Sequence, residues 1–525
     1  MDRRNFLISS AAALSARTSV FGAASDTVRV AVVGIGGRAR DHIAELIRQP
    51  NVEIVALCDP DDSHLDKGQK QIAAADQKAP KNYRDVRKLL EDKSIDAITI
   101  ASPNHWHTLM TVWACQAGKD VYVEKPCSHD MFEAAQIVAA ARKYNRIVQQ
   151  GSQIRSSVAV QEAMQKMNDG LIGDVYLARG LCFKWRDTIG RTAVSPVPEG
   201  VDYDLWTGPA PKREFTRNRF HYNWHYFWDT GNGDLGNQGI HELDIARWGL
   251  GVRYPVKVSA VGGHFMFDDD QETPNTLNCA YEFEVNGKRR MMEFEVRHWM
   301  TNSEAGIEDR QHNGIGNLFY GSKGYLAVDS YVSYKSWLGR EQAPGPARRE
   351  GGDHFANWFE AIRTRKRETL HCEVEEGAIS TTLVHLANIS YLVGRTLHFD
   401  AATYSVTGDP EANRLFTRDY RKPFVVPGKV LGDGGADPGA STLRFGMLHH
   451  FAVTWIYEAG TPSPIGGSRV GRPGSTLGSA LLPRNPDTSA DADRSPGGGL
   501  LVGRVSGYRA VLGTWPGSAL SGVGR

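Results

Sequence analysis

Apolar residues follow two different rhythms along this chain, and the change of rhythm marks a domain boundary. Val28 to Val33 is a valine-rich run that reads as a strand buried on both faces. Ala39 to Arg48 carries apolar residues at helical spacing, and Val52 to Leu57 is a second buried strand, so the three form a βαβ unit. Ile95 to Ile100 and Asp120 to Val123 read as further buried strands, with a helix from Thr108 to Ala117 between them and another from Phe132 to Tyr144 after the second. This alternation predicts a parallel, doubly wound sheet. Near Gln149 the rhythm changes. After a helix from Ala159 to Asn168 come longer alternating runs, Val256 to Phe267, Leu277 to Val285 and Arg290 to His298, expected of a larger, mainly antiparallel open sheet. Two late helices, Phe355 to Arg363 and Glu375 to Val393, are expected to pack back on this assembly, and regular patterning ends around Pro427. The fold class is therefore α/β, a parallel N-terminal sheet followed by an α+β domain.

The chain has 525 residues, too many for one core, since single cores stop growing near roughly 250 to 300 residues. The pattern divides it into 1–26, 27–150, 151–428 and 429–525. In the first segment Arg3-Arg4-Asn5-Phe6-Leu7 precedes a mildly apolar stretch from Ile8 to Ala16 and small residues up to Ala24, the order of a twin-arginine export signal. That stretch is too short for a stable membrane anchor, so a periplasmic or otherwise exported protein, handled by the twin-arginine machinery and processed near Ala24, is expected. Beyond Gly428 the composition shifts to Gly, Pro, Ser and Arg, with no lysine after Lys429; this reads as a disordered tail, or as a frame-shifted stretch, with an apolar patch from Phe445 to Tyr457. The 61 basic and 60 acidic side chains nearly cancel and no dense basic block stands out, which argues against nucleic acid and for a small-molecule partner. The six cysteines form no C-x-x-C pair and are expected as buried free thiols.

Candidate chemistry begins at Gly34-Ile35-Gly36-Gly37-Arg38-Ala39, which follows a strand and opens a helix, the context a dinucleotide-binding glycine turn requires. Gly34 permits the tight turn, Gly36 leaves room for a pyrophosphate, and Ala39 lets the helix pack while its N-terminal amides face the phosphates. Asp59 ends the second strand about 25 residues after Gly34, near the roughly 20-residue offset at which a carboxylate accepts from the adenine ribose. NAD is thus favoured over NADP, although Arg38 and Arg40 leave NADP open. Ligands of open α/β sheets bind beyond strand carboxyl ends, which places Ser102, Asn104 and His107 of the third strand's end, and Glu124-Lys125-Pro126 of the fourth's, at the mouth of the cofactor site. A primary ammonium there can polarise a substrate oxygen.

With these motifs the chain resembles the Gfo/Idh/MocA oxidoreductases, in their exported branch, over about Val28 to Pro427. The resemblance implies a Rossmann domain, Lys125 as catalytic lysine, and Glu124 and Asn104 along the nicotinamide ribose. Gly233 to Asp244 is similar to the family's D-x-G-x-H-x-x-D segment, with His241 on the histidine position and Asp244 on the later acid. Asn237 stands where the family's sugar and inositol dehydrogenases usually carry aspartate. An imidazole can take a hydroxyl proton and an amide cannot, so His241 is assigned as base and Asn237 as orienter. Gln153 and Arg155 match polar positions of the family's connecting strand and are expected to line the cleft. Aromatic and amide residues around Tyr222, Trp224 and His225 suit the apolar faces and hydroxyl rims of a sugar, with core packing as the alternative. His221 and His225 lack a carboxylate cluster of known ligand spacing, and no metal is expected. The resemblance implies hydride transfer at a sugar, polyol or glycoside carbinol, with a tightly held NAD and a homodimer or homotetramer. Two other readings stand beside it: redox-assisted glycoside hydrolysis on the same fold, whose Tyr-containing signature this chain lacks, and a non-catalytic sugar-binding protein.

Overall fold

The computed structural model describes residues 27–428; segment 1–26, expected to direct export, and segment 429–525, expected to be a disordered tail, lie outside the described residues. The N-terminal sheet comprises β1 (Val28–Val33), β2 (Val52–Cys58), β3 (Lys81–Tyr83), β4 (Ala97–Ile100), β5 (Asp120–Val123) and β6 (Val148–Gln150), in the order β3-β2-β1-β4-β5-β6 and parallel throughout. The apolar runs of β1, β4 and β5 are buried almost without alternation because helices cover both faces. From β1 the chain passes to β2 on one side and returns to β4 on the other. The carboxyl ends of β1 and β4 therefore splay around a crevice, the point where such sheets bind ligands.

The second sheet is built on β7 (Val175–Lys184), β8 (Lys257–Gly263), β9 (Thr276–Val285), β10 (Lys288–His298), β11 (Asn313–Gly321), β12 (Gly324–Asp329) and β13 (Ser333–Leu338), ordered β13-β12-β11-β7-β10-β9-β8 with short strands at its edges. Its ladders are antiparallel except for β7 with β10, so the sheet is mainly antiparallel, as expected, with a single parallel pair at its centre. In β9 and β10 burial alternates, as expected of a sheet covered on one face. The helix Ile240–Leu250 lies on that face, against β7 and β11.

Two late helices join the sheets. Val374–Val393 is buried nearly all round and packs on the Rossmann helix Met131–Lys143, on β8 and on Ile240–Leu250. His354–Thr364 sets Phe355 against Tyr122 of β5, ring centroids 4.3 Å apart and stacked, with Trp358 on the Tyr122 edge; each such pair contributes about 0.5–1.5 kcal/mol beyond its buried area. Two boundaries differ by four residues from those expected. The helix expected from Thr108 starts at Asn104, because Pro103 presets the entry φ and needs no amide partner, so Asn104 and His107 sit in its first turn. The strand expected to run to Phe267 stops at Gly263, at a glycine pair that has no side chains to pack. All six cysteines are buried and free. No helix among the described residues is long and apolar enough to cross a membrane.

Candidate active site

The crevice at the end of β1 opens into a cavity of about 600 Å³ that runs from Asp59 past the glycine turn to Lys125. Gly34 adopts φ +79°, and a Cβ there would lie 2.6 Å from the Ser102 amide nitrogen, so only glycine fits. A Cβ on Gly37 would meet nothing within 4 Å, and the backbone of this turn is open to an incoming group. Asp59 is nearly buried at the cavity lip. Its carboxylate accepts from the Ile35 amide at 2.6 Å and the Asp61 amide at 2.9 Å, with His64 Nδ1 at 3.3 Å, which locks the acid against the glycine turn. An open amide turn at a helix start, with an oriented carboxylate at the next strand end, fits a dinucleotide. Arg38 is committed elsewhere: its Nε binds Glu124 at 2.9 Å and its Nη1 binds Asp41 at 2.9 Å.

Ser102, Asn104, His107 and Glu124 line the same cavity. His107 is fully enclosed, with its two ring nitrogens 2.7 Å from the backbone oxygens of Pro126 and Ser102, so it braces the β4 end against the Lys125 loop. Glu124 lies between Arg38 and His42, each 2.9 Å from Oε1, and Gln153 reaches it at 3.3 Å. The cations around it outweigh the cost of burial and hold its carboxyl well below the usual range.

At its far end this cavity meets a second cleft of about 560 Å³, walled by Gln153, Lys184, Arg186, Gln238, His241 and Tyr331 of the other domain, and Lys125 and Asn237 line both. Burial, reinforced by Arg38 and Lys184, lowers the Lys125 ammonium to about 8. Its Nζ donates to the backbone oxygen of Asn237 at 2.5 Å, across 112 residues of sequence. Asn237 therefore holds the lysine with its main chain, while its side-chain amide donates to Asp234 Oδ1 at 3.0 Å. Residues Leu235–Gly239 form a wide π turn that leads into the helix Ile240–Leu250. A Cβ on Gly239 would lie 2.5 Å from the Phe294 ring, so glycine is what lets the turn press on the sheet. His241 sits in the first turn of that helix, buried, with no partner on Nδ1. Burial and the neighbouring Lys125 charge keep it neutral well below the ordinary imidazole range.

Several expected residues turn out differently. Arg155 and Asp244 do not face the cleft: they pair with each other at 2.7 and 2.8 Å, Ser380 donates to Asp244 at 2.6 Å, and Arg155 stacks over Trp248. A planar guanidinium satisfied by a bidentate carboxylate turns toward that partner, here into the packing behind the site. His225 is also wall rather than lining. Its Nδ1 lies 2.6 Å from the Tyr222 backbone oxygen, and burial drives it to about 3. Tyr222 does line both cavities, and Trp224 lines the first. His221 faces Asp61 at 2.9 Å, and with His64 these form the group among the described residues whose potential ligand atoms fall within 4.8 Å of one another.

Sequence reasoning missed Lys184, Arg186, Asp234 and Tyr331. Lys184 and Arg186 flank Trp185 where β7 ends, and two cations at a strand's carboxyl end were the available signal. Asp234 is the hub. Its buried carboxylate takes Arg186 through Nε at 3.0 Å and Nη2 at 2.9 Å, His298 Nε2 at 2.5 Å, and the Asn237 amide.

The family model for the NAD-binding Rossmann fold of the Gfo/Idh/MocA oxidoreductases matches residues 28–152, and that for their C-terminal alpha/beta domain matches 157–277 and 331–426. The chain belongs to this oxidoreductase family. A glycosyl hydrolase family 109 protein of Saccharopolyspora erythraea is 24% identical over 364 residues, covering 63% of this chain and 73% of that protein. A protein of the same description from Stenotrophomonas maltophilia is 39% identical over 134 residues, 24% of this chain and 29% of that protein. Among solved structures, the aldose-aldose oxidoreductase of Caulobacter crescentus, complexed with glycerol, superposes with TM-score 0.54 at 19% identity over 71% of this chain and all of that one. The WlbA dehydrogenase of Bordetella pertussis, in complex with NADH and UDP-GlcNAcA, gives 0.53 at 18% identity over 71% and 99%. These likenesses show the shared fold.

Proposed function

We propose that this protein is an NAD-dependent oxidoreductase acting on a CH–OH group of a sugar, polyol or glycoside. The observation that carries the reading is the junction: Lys125 and Asn237 belong at once to the dinucleotide-shaped cavity and to the cleft walled by His241. A bound nicotinamide supplies the hydride acceptor or donor. Gly34, Gly36 and Gly37 with the Arg38 helix start would hold the pyrophosphate, Asp59 the adenine ribose, and Ser102, Asn104 and Glu124 the nicotinamide end. Asp59 favours NAD over NADP, because a 2′-phosphate would meet a carboxylate. Lys125 places its ammonium on the substrate oxygen and stabilises charge that develops there. His241, neutral and with Nδ1 unpartnered, accepts the hydroxyl proton. Relatives named for aldose and nucleotide-sugar chemistry support a carbohydrate substrate.

Export by the twin-arginine route belongs to the same proposal, as do a cofactor held through turnover and a homodimer or homotetramer. Free NAD is scarce outside the cytoplasm, so retention suits the setting. The test is mass spectrometry of small molecules released on denaturation, then a sugar and glycoside screen at the reduced-nicotinamide band; a protein that carries no dinucleotide, binds none and reduces none sinks the reading. The S. erythraea relative favours a second reading, redox-assisted glycoside hydrolysis. Under it a chromogenic glycoside is cleaved with no net reduced cofactor, whereas the first reading gives absorbance at the nicotinamide band alone.

The pH dependence has a definite sign. His241 stays unprotonated above its depressed value, so it accepts protons throughout the neutral range. Lys125 loses its charge as pH rises through about 8. The oxidative kcat/KM is therefore expected to be level from about pH 6 to 7 and to fall as pH rises through about 8. A limb that rises between 6 and 8 in the pH–rate profile would make Lys125 the proton acceptor instead.

A further inference from the structure

Apart from Lys125 itself, the cleft beside it carries one positive charge that no carboxylate among the described residues pairs with. Elsewhere on its walls the cations are matched: Arg38 with Glu124 and Asp41, Arg48 with Glu45, and Arg186 with Asp234. Lys125 lies beside Glu124, whose charge favours its ammonium. Asp353 is committed to the Gln49 amide at 2.9 Å and to the Ala356 amide of the helix it caps. Lys184 differs. Its ammonium, at the carboxyl end of β7, donates to the side-chain oxygen of Gln238 at 2.6 Å and forms no ion pair among the described residues. Gln238 is fixed in turn, since its Nε2 donates to Glu242 Oε1 at 2.9 Å and to Tyr331 Oη at 3.0 Å. A neutral amide thus holds Lys184 in place and leaves it two N–H donors.

The one carboxyl behind this amide does not supply the missing charge. Glu242 is enclosed, its Oε2 has no partner, and burial pushes it up to about 8, so it is largely uncharged near neutral pH. An ammonium fixed by a neutral group, in a partly enclosed cleft next to the reacting centre, favours an anion over a neutral group of the same shape.

We propose that Lys184 is a specificity-determining residue and that the substrate is an acidic sugar, a monoanion of uronate type whose carboxylate lies on Lys184. This rests on the oxidoreductase reading above and narrows it. With Lys125 assigned to the reacting oxygen, the one remaining charge matches a carboxylate better than a phosphate monoester, which brings nearly two.

The test is calorimetric titration of the holoprotein with D-glucuronate and D-galacturonate, with D-glucose and D-galactose as matched neutral sugars, and with glucose 6-phosphate. The same mixtures are followed at the reduced-nicotinamide band. Wild type is expected to bind at least one uronate about 10- to 100-fold more tightly than its neutral partner, the range of one hydrogen bond to a charged group. Lys184→Gln should bring that ratio to within about threefold, and Lys184→Arg should keep it. A wild-type ratio near one, no measurable uronate binding, a ratio that Lys184→Gln leaves unchanged, or tightest binding by the phosphate overturns the proposal. Uronate preference without any change at the nicotinamide band would refute the redox reading and leave the anion site standing. Reduction by neutral sugars at an unaltered ratio would do the reverse.

Discussion

Lys125→Met is expected to lower turnover by about 10³-fold while the protein keeps its dinucleotide. Methionine preserves the unbranched stem and removes only the cation, which is partly buried at the junction of the two cavities and held on the Asn237 backbone oxygen. A charge shielded this far from water acts through a lower local dielectric, so its loss costs more than it would on the open surface. The residues assigned to the pyrophosphate and adenine ribose lie at the far end of the cavity and are untouched. Steady-state kcat, measured with cofactor content on denaturation, checks both halves. Turnover within threefold of wild type, with cofactor retained, would remove Lys125 from the chemistry.

The largest effect on stability is expected at Asp234. Asp234→Ala strips the carboxylate that Arg186, His298 and the Asn237 amide share, and leaves a nearly enclosed guanidinium without its counter-charge. Breaking a buried pair from one side costs about 3–5 kcal/mol. Denaturant unfolding should show that loss, and activity should fall with it, because Arg186 and Asn237 both border the cleft. A loss under about 1 kcal/mol would mean that water satisfies Arg186 and that the hub does not hold the wall. Asp234→Asn keeps the shape without the charge, and is expected to recover only a small part of the stability.

Much of the Rossmann half is legible in the order of its residues, because its signals are local. A glycine at positive φ, a helix start and an acid at the next strand end lie within one βαβ unit, where spacing dictates placement. The Glu124-Lys125-Pro126 turn is equally local, since a buried strand must end before it. The second half is harder to read. Lys184 and Gln238 are 54 residues apart and Asp234 and His298 are 64 apart, and no periodicity in either stretch announces that they meet.

Arg155 and Asp244 mark the limit most sharply. Both have the right chemistry and stand near cleft positions, yet they satisfy each other behind the site. Hydrophobic rhythm and turn chemistry are properties of neighbouring residues, so the sequence by itself determined the parallel sheet, the glycine cradle and the position of Lys125 at the strand end beside it. Which charges face the cleft and which cancel inside the wall is a competition among partners that only the packed chain brings within reach, and the tertiary structure alone decided it.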